Sequence, residues 1–147
     1  MRLTRHTDYS LRVLMFLAVR PEKLATIHEI AEAFDISRAH LMKVVHSLAK
    51  LGYVQTVRGR GGGLELARPA REIRLGRLIQ QTEDSVELVE CFSTGAHPRG
   101  CRITAACKLR GVLGDAVSAF FRSLDEHTLE DIVSGRTTQL RRLLLLG

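Results

Sequence analysis

Before Gly52, apolar residues recur at helical spacing in three separate runs. In residues 8–19, DYSLRVLMFLAV, Leu11, Leu14, Met15 and Ala18 fall at i, i+3, i+4 and i+7 and predict a first helix. RPEK interrupts it. In TIHEIAEAF, Ile27, Ile30, Ala31 and Phe34 again share one face, and Thr26 with Glu29 three residues on has the form of a capping box. DIS turns the chain, Ser37 is placed to cap a third helix, and Gly52 stops it. Leu41, Val44, Val45 and Leu48 form that helix's buried stripe. The period then changes. YVQTVRGRGGGLELAR predicts a β-hairpin with extended segments near 53–57 and 64–67 around a glycine-rich loop.

Two short helices joined by a tight turn, the second longer and more basic, have the form of a helix-turn-helix, and the hairpin behind them has the form of a wing. The fold class expected is mainly α with a small β-hairpin: a winged helix-turn-helix over residues 1–75, then a second part over 76–147. Opposite the apolar stripe of the third helix lie Ala39, Lys43, His46 and Lys50, with Arg38 and His40 at its start. The start of such a helix enters the major groove, so Ser37, Arg38, His40 and Lys43 are candidate DNA contacts. At the wing tip the candidates are Arg58, Arg60, Gly61 and Gly62. Arginines suit a narrow, negative minor groove or its phosphates, and glycines let the backbone take positive φ and lie close to another surface. A phosphate-cradling nucleotide loop would need a helix after it, and here a strand follows.

In the second part, IRLGRLIQQTED predicts a short amphipathic segment, and Thr104 to Leu124 the longest helix. Leu109, Val112, Leu113, Ala116, Val117, Phe120, Phe121 and Leu124 cover more than the single stripe that a surface helix needs. Such a helix either lies at the centre of the core or packs on its own domain and on a second subunit; the dimer is the expectation. A two-fold partner would present two recognition helices to a pseudo-palindromic operator. Gly111 and Gly114 cost about 1 kcal/mol each in helix propensity, a cost consistent with close helix approach. Thr128 is placed to cap a last short helix, LEDIV, ahead of a tail, LRRLLLLG, that packs or frays.

Charge separates the two parts. Residues 1–71 hold 12 Lys and Arg against 6 Asp and Glu, while residues 72–147 hold 10 of each, so the whole net charge of +6 sits in the first half. That placement is expected of a surface facing a polyanion. With 45% hydrophobic residues the chain can bury a core, yet no apolar run is long enough to span a bilayer. The N-terminus has no signal-peptide character, and a cytoplasmic protein is the expectation.

All three cysteines, Cys91, Cys101 and Cys107, lie within 17 residues. In a reducing compartment that favours metal binding or redox sensing over a disulfide. Cys107 is expected in the first turn of the long helix and Cys101 just before it, where helix amides together with Arg99, Arg102 and Lys108 favour the thiolate. Three thiolates can bind zinc or an iron–sulfur cluster, and spacing alone does not choose. His97, inside the loop, is a candidate fourth ligand or an ordinary exposed histidine. An enzyme built on a zinc site lacks support, since there is no HExxH motif and no nucleophile elbow.

The opening MRLTRHTDYSLRVLMFLA, the pair IAEAFDISRAHLMKVVHSLAKLGYV, the wing VRGRGGGLELA and the stretches CRITAACKLRGVLGDAVSAFF and LDEHTLEDIV together resemble a family of iron–sulfur winged-helix regulators, over nearly the whole chain. They resemble its nitric-oxide-sensing repressors in particular. The resemblance implies a homodimer with a cluster on three cysteines of each subunit, 4Fe–4S preferred and 2Fe–2S as the alternative. It also implies repression that ends when nitric oxide reacts with the cluster. Cys101 and Cys107 match the family's second and third cysteines. IscR-like members have a histidine three residues after the last cysteine; Arg110 stands there in this chain. The nitric-oxide-sensing members take an aspartate from the other subunit, and Asp8 is in the matching HTDYSLR position. The nine residues between Cys91 and Cys101 form a longer loop than the resemblance implies, so Cys91 is the least secure ligand. A regulator of the same fold that senses iron supply or redox state through a 2Fe–2S cluster is the alternative.

Overall fold

Each helix of the first half begins where a hydroxyl side chain captures a free amide. The computed structural model describes residues 2–86, 88–92 and 101–145. Its first helix, α1 (Arg5–Ala18), opens at Thr4, whose Oγ accepts the Thr7 N–H at 3.2 Å. It therefore starts three residues earlier than the apolar periodicity predicts, because the cap and not the first leucine sets the boundary. Helix α2 (Ile27–Phe34) opens with the expected box: Thr26 Oγ accepts from Glu29 N at 3.1 Å, and Glu29 accepts from Thr26 N at 2.7 Å. Asp35, in left-handed conformation at φ 52°, turns the chain into α3 (Arg38–Lys50), capped by Ser37 through the His40 N–H. Aspartate tolerates that conformation better than a branched residue would.

The wing is an antiparallel pair, β1 (Val54–Val57) and β2 (Gly63–Leu66), in the register Val54↔Leu66 to Val57↔Gly63. Leu64 also bridges to Ala25 ahead of α2, with N–H···O distances of 3.0 and 2.7 Å. Glycines here serve different ends. Gly59 and Gly61 have φ of 104° and 80°. A Cβ on Gly62 would sit 2.2 Å from the Val57 carbonyl oxygen, and one on Gly63 would sit 2.7 Å from that of Ala25. The close approach made by Gly62 and Gly63 is thus to the chain's own backbone.

The core centres on α1. Val13, Leu14, Phe16 and Leu17 are buried against the full stripe Leu41, Val44, Val45 and Leu48 of α3, with Ile30, Tyr53 and Leu64. Full burial contributes about 1.5–3 kcal/mol for each large apolar side chain. This core does not end at residue 75. Helix α4 (Leu75–Thr82) adds Leu78, and after the long helix α5 (Lys108–Asp125) the short helix α6 (Leu129–Val133) returns to place Leu129 in the same cluster. Thr128 caps α6 in a box with Asp131 and bridges to Arg74. The tail forms α7 (Thr137–Leu145): Arg141 donates to the Val19 carbonyl and pairs with Glu22 at 3.0 Å, and Leu144 packs on the core.

Helix α5 differs from expectation at its start. Thr104–Ala106 form a separate 3-10 turn, and Cys107, with ψ 102°, stands at the N-cap position and not inside the first turn. Of its apolar residues only Phe121 is buried; Leu109 is 60% exposed and Val112 63%. Helix α5 is not at the centre of the chain's core.

Candidate nucleic-acid interface and thiol site

The side chains expected to meet DNA lie at the start of α3 and at the tip of the wing. Ser37 has its oxygen engaged as the cap of α3, accepting the His40 N–H. Arg38 and Lys43 are exposed, as are Arg58, Arg60 and Gly61 at the wing tip, while Gly62 is half-buried in the turn. Arg38 Nη2 lies 3.0 Å from His28 Nδ1 on α2, an interaction that fans the guanidinium across the turn. His40 is half-buried. Its ring packs edge-on against Tyr9 of α1, with centroids 4.9 Å apart.

Asp8 lies in the first turn of α1, half-exposed, where the helix dipole favours a carboxylate. It pairs with Arg12 at 2.9 Å. The Arg12 guanidinium sits 5.8 Å from the ring centroids of both Tyr9 and Phe34. Asp8, Arg12, Tyr9 and His40 thus form a continuous path from the start of α1 to the start of α3. Tyr9 and Arg12 are absent from the candidates that the sequence suggests. Their i, i+3 relation was legible, but the partners Phe34 and His40 come from other helices.

The chain leading toward the cysteines is bonded to that same end of α1. Glu83 accepts from Thr4 N at 2.8 Å and from Thr4 Oγ at 3.1 Å, and Thr7 Oγ donates to Thr82 Oγ at 3.0 Å in a buried contact. No local signal in the sequence marks Glu83.

The three thiols are all free, with Cys91 and Cys107 half-buried and Cys101 exposed. Helix α5 has no side-chain cap, so its first amides are available beside Cys107, and Arg102, Lys108 and Arg110 lie close in sequence. Among the described residues, no three His, Cys, Asp or Glu side chains converge as a metal site would require. His97 and Arg99 lie outside the described residues. Also among these, no helix is long and apolar enough to cross a membrane.

Comparison with known proteins agrees with the winged-helix geometry. Residues 3–135 match the model of the Rrf2 family, described as an iron-dependent transcriptional regulator. The HTH-type transcriptional regulator NsrR of Geobacillus kaustophilus is 48% identical over 145 residues, covering 98% of this chain and 97% of that protein. Its namesake in Bacillus subtilis is 46% identical over 144 residues, with 97% of each covered. Among solved structures, T. potens IscR superposes with a TM-score of 0.72 at 25% identity, covering 90% of this chain and 86% of that one. These are DNA-binding regulators and not enzymes. With that match spanning the winged helix, the thiol segment and α5 alike, the chain belongs to the Rrf2 family of transcriptional regulators.

Proposed function

We propose that the chain is a homodimeric repressor that holds an iron–sulfur cluster and leaves its operator when nitric oxide reacts with that cluster. The observation behind this reading is the junction at Cys107. A free, half-buried thiol stands at the N-cap position of a long helix, making no capping hydrogen bond, and that helix leaves its apolar side chains Leu109 and Val112 exposed. Gly111 and Gly114 have open space where a Cβ would stand, which suits a second helix approaching there. A two-fold dimer through α5 would bring together two thiol loops and two recognition helices.

Three free thiols with one carboxylate form a donor set that suits an iron–sulfur cluster. Cys91, Cys101 and Cys107 would hold it, with Asp8 of the partner subunit as the fourth, harder ligand; 4Fe–4S is preferred and 2Fe–2S is the alternative. The cluster would supply an iron site that nitric oxide can attack. The chain's own residues would do the rest. An Asp8 engaged across the dimer could not keep both oxygens on Arg12, so a change of partner at Asp8 would alter what Arg12, Tyr9 and His40 pack against. Glu83 and Thr82 fasten the segment before the thiols to the same helix end. The spacing of the recognition helices would then depend on the ligand state, provided the two arrangements bind the cluster with different affinity.

The test is anaerobic purification with iron, sulfide and zinc analysis, followed by a gel-shift on operator DNA with nitric oxide. A brown protein holding iron and sulfide that releases DNA on nitric oxide is expected, and Cys107→Ala should lose both colour and response. A colourless zinc protein, or one that ignores nitric oxide, would overturn the sensor reading. The family's iron-dependent description favours one second reading, a response to iron supply or redox state through a 2Fe–2S cluster.

A further inference from the structure

The outer face of α3 is not uniformly polar. Ala39, Met42, Lys43 and His46 lie at i, i+3, i+4 and i+7, on one face. Met42 is 58% exposed, one of the few large apolar side chains that the chain leaves open. With Ile27 of α2 and Thr56 of β1, these residues line a shallow groove. Met42 lies outside the buried stripe Leu41, Val44, Val45 and Leu48 that packs on the core, although Val45 borders the groove as well. It stands in the second turn of α3, the part of a recognition helix that reaches base edges.

The groove's occupant follows from its surroundings. Lys43 and His46 border its apolar floor, and the exposed Arg38 lies one turn away, so an occupant that carries negative charge and also presents an apolar group suits it. Duplex DNA offers that combination in its major groove, where the C5-methyl of thymine is an apolar spot on an otherwise polar base edge. A thioether on an unbranched, flexible stem can meet such a methyl without a fixed geometry. We propose that Met42, with Ala39 beside it, is a specificity-determining residue that reads thymine methyl groups in the operator. The proposal rests on the DNA-binding reading of this face. It adds base selectivity that the phosphate-seeking cations alone do not supply.

The experiment uses the full chain, purified anaerobically, to select duplexes from a randomised pool. A selected duplex is then resynthesised with single thymines replaced by uracil, which lacks only the methyl. Wild type should lose about threefold to fivefold in affinity at one thymine in each half-site, the factor carried by one buried methyl. Met42→Ala should bind the thymine duplex more weakly by a similar factor and no longer distinguish uracil, whereas Met42→Leu should keep the discrimination. If wild type is indifferent to uracil at every position, or Met42→Ala discriminates as wild type does, the proposal is overturned and DNA binding stands. If Met42→Ala changes the sedimentation of the protein and leaves the uracil effect intact, the groove is a protein-docking face and the proposal is likewise overturned. If no duplex is enriched at all, the DNA-binding reading falls, and the proposal with it.

Discussion

Gly76 offers the sharpest test of how the long helix is held. Helix α4 has no side-chain cap from its own N-terminal neighbour; Asp125, at the end of α5, supplies one by accepting the Arg77 N–H at 2.8 Å. Arg74 reinforces the junction by donating to the Asp125 carbonyl at 3.0 Å. The approach is possible because residue 76 has no side chain. A Cβ there would stand 2.5 Å from Asp125 Oδ1, 2.6 Å from the Phe121 carbonyl oxygen and 2.7 Å from Asp125 Cγ. Gly76→Ala must displace α5, at about 1–3 kcal/mol for overpacking, and lose the cap, at about 0.5–2 kcal/mol. Better helix propensity returns about 1 kcal/mol, for a net loss of about 0.5–4 kcal/mol. Urea unfolding followed by circular dichroism measures it. Asp125→Ala alone should cost about 1 kcal/mol as a lost cap. Removing that carboxylate also removes two of the three clashes, so the double variant should lose less than the sum of the singles, by at least about 0.5 kcal/mol. If Gly76→Ala leaves the urea midpoint unchanged, or the two destabilisations simply add, the reasoning about this junction is wrong.

Charge removal at Lys43, Arg58 or Arg60 should weaken binding to all duplexes alike and lower the slope of log affinity against log salt by about 0.9 for each phosphate no longer neutralised, read from titrations at several salt concentrations; an unchanged slope for Arg58→Ala would refute the wing assignment. Val112→Glu on the exposed face of α5 should reduce the mass in sedimentation equilibrium to that of the 16.4 kDa monomer, whereas persistence of a dimer would place the interface elsewhere. Glu29 is subject to burial, which opposes its ionisation, but the Thr26 amide and hydroxyl and the Arg20 guanidinium outweigh it and hold the carboxyl below its ordinary value of 4.5. Because the folded value is the lower one, this stabilisation is full above that ordinary value and disappears as pH falls through the depressed one. Melting temperatures between about pH 6 and about pH 3 should therefore fall more steeply for wild type than for Glu29→Gln.

What the sequence determined by itself is local. The box at Thr26, the caps at Ser37 and Thr128, the α3 stripe and the hairpin depend on residues a few positions apart, and periodicity and cap chemistry expose them directly. The winged helix and its exposed cations were legible for the same reason, as was the position of Cys107 at the start of α5. Even there, the boundary moved where a hydroxyl cap outranked the apolar spacing, at Thr4, and where a 3-10 turn held Cys107 outside the helix. Contacts between distant segments were decided by the tertiary structure alone. Glu83 meets Thr4 across 79 positions, and Asp125 caps α4 across 48. Tyr9 and His40 meet only because α1 packs on α3. The fate of α5 is of the same kind: its apolar residues announce burial, but which of them the chain itself covers depends on where α4 and α6 leave room. A pattern of side chains fixes what must be hidden from water; only the packed chain decides what hides it.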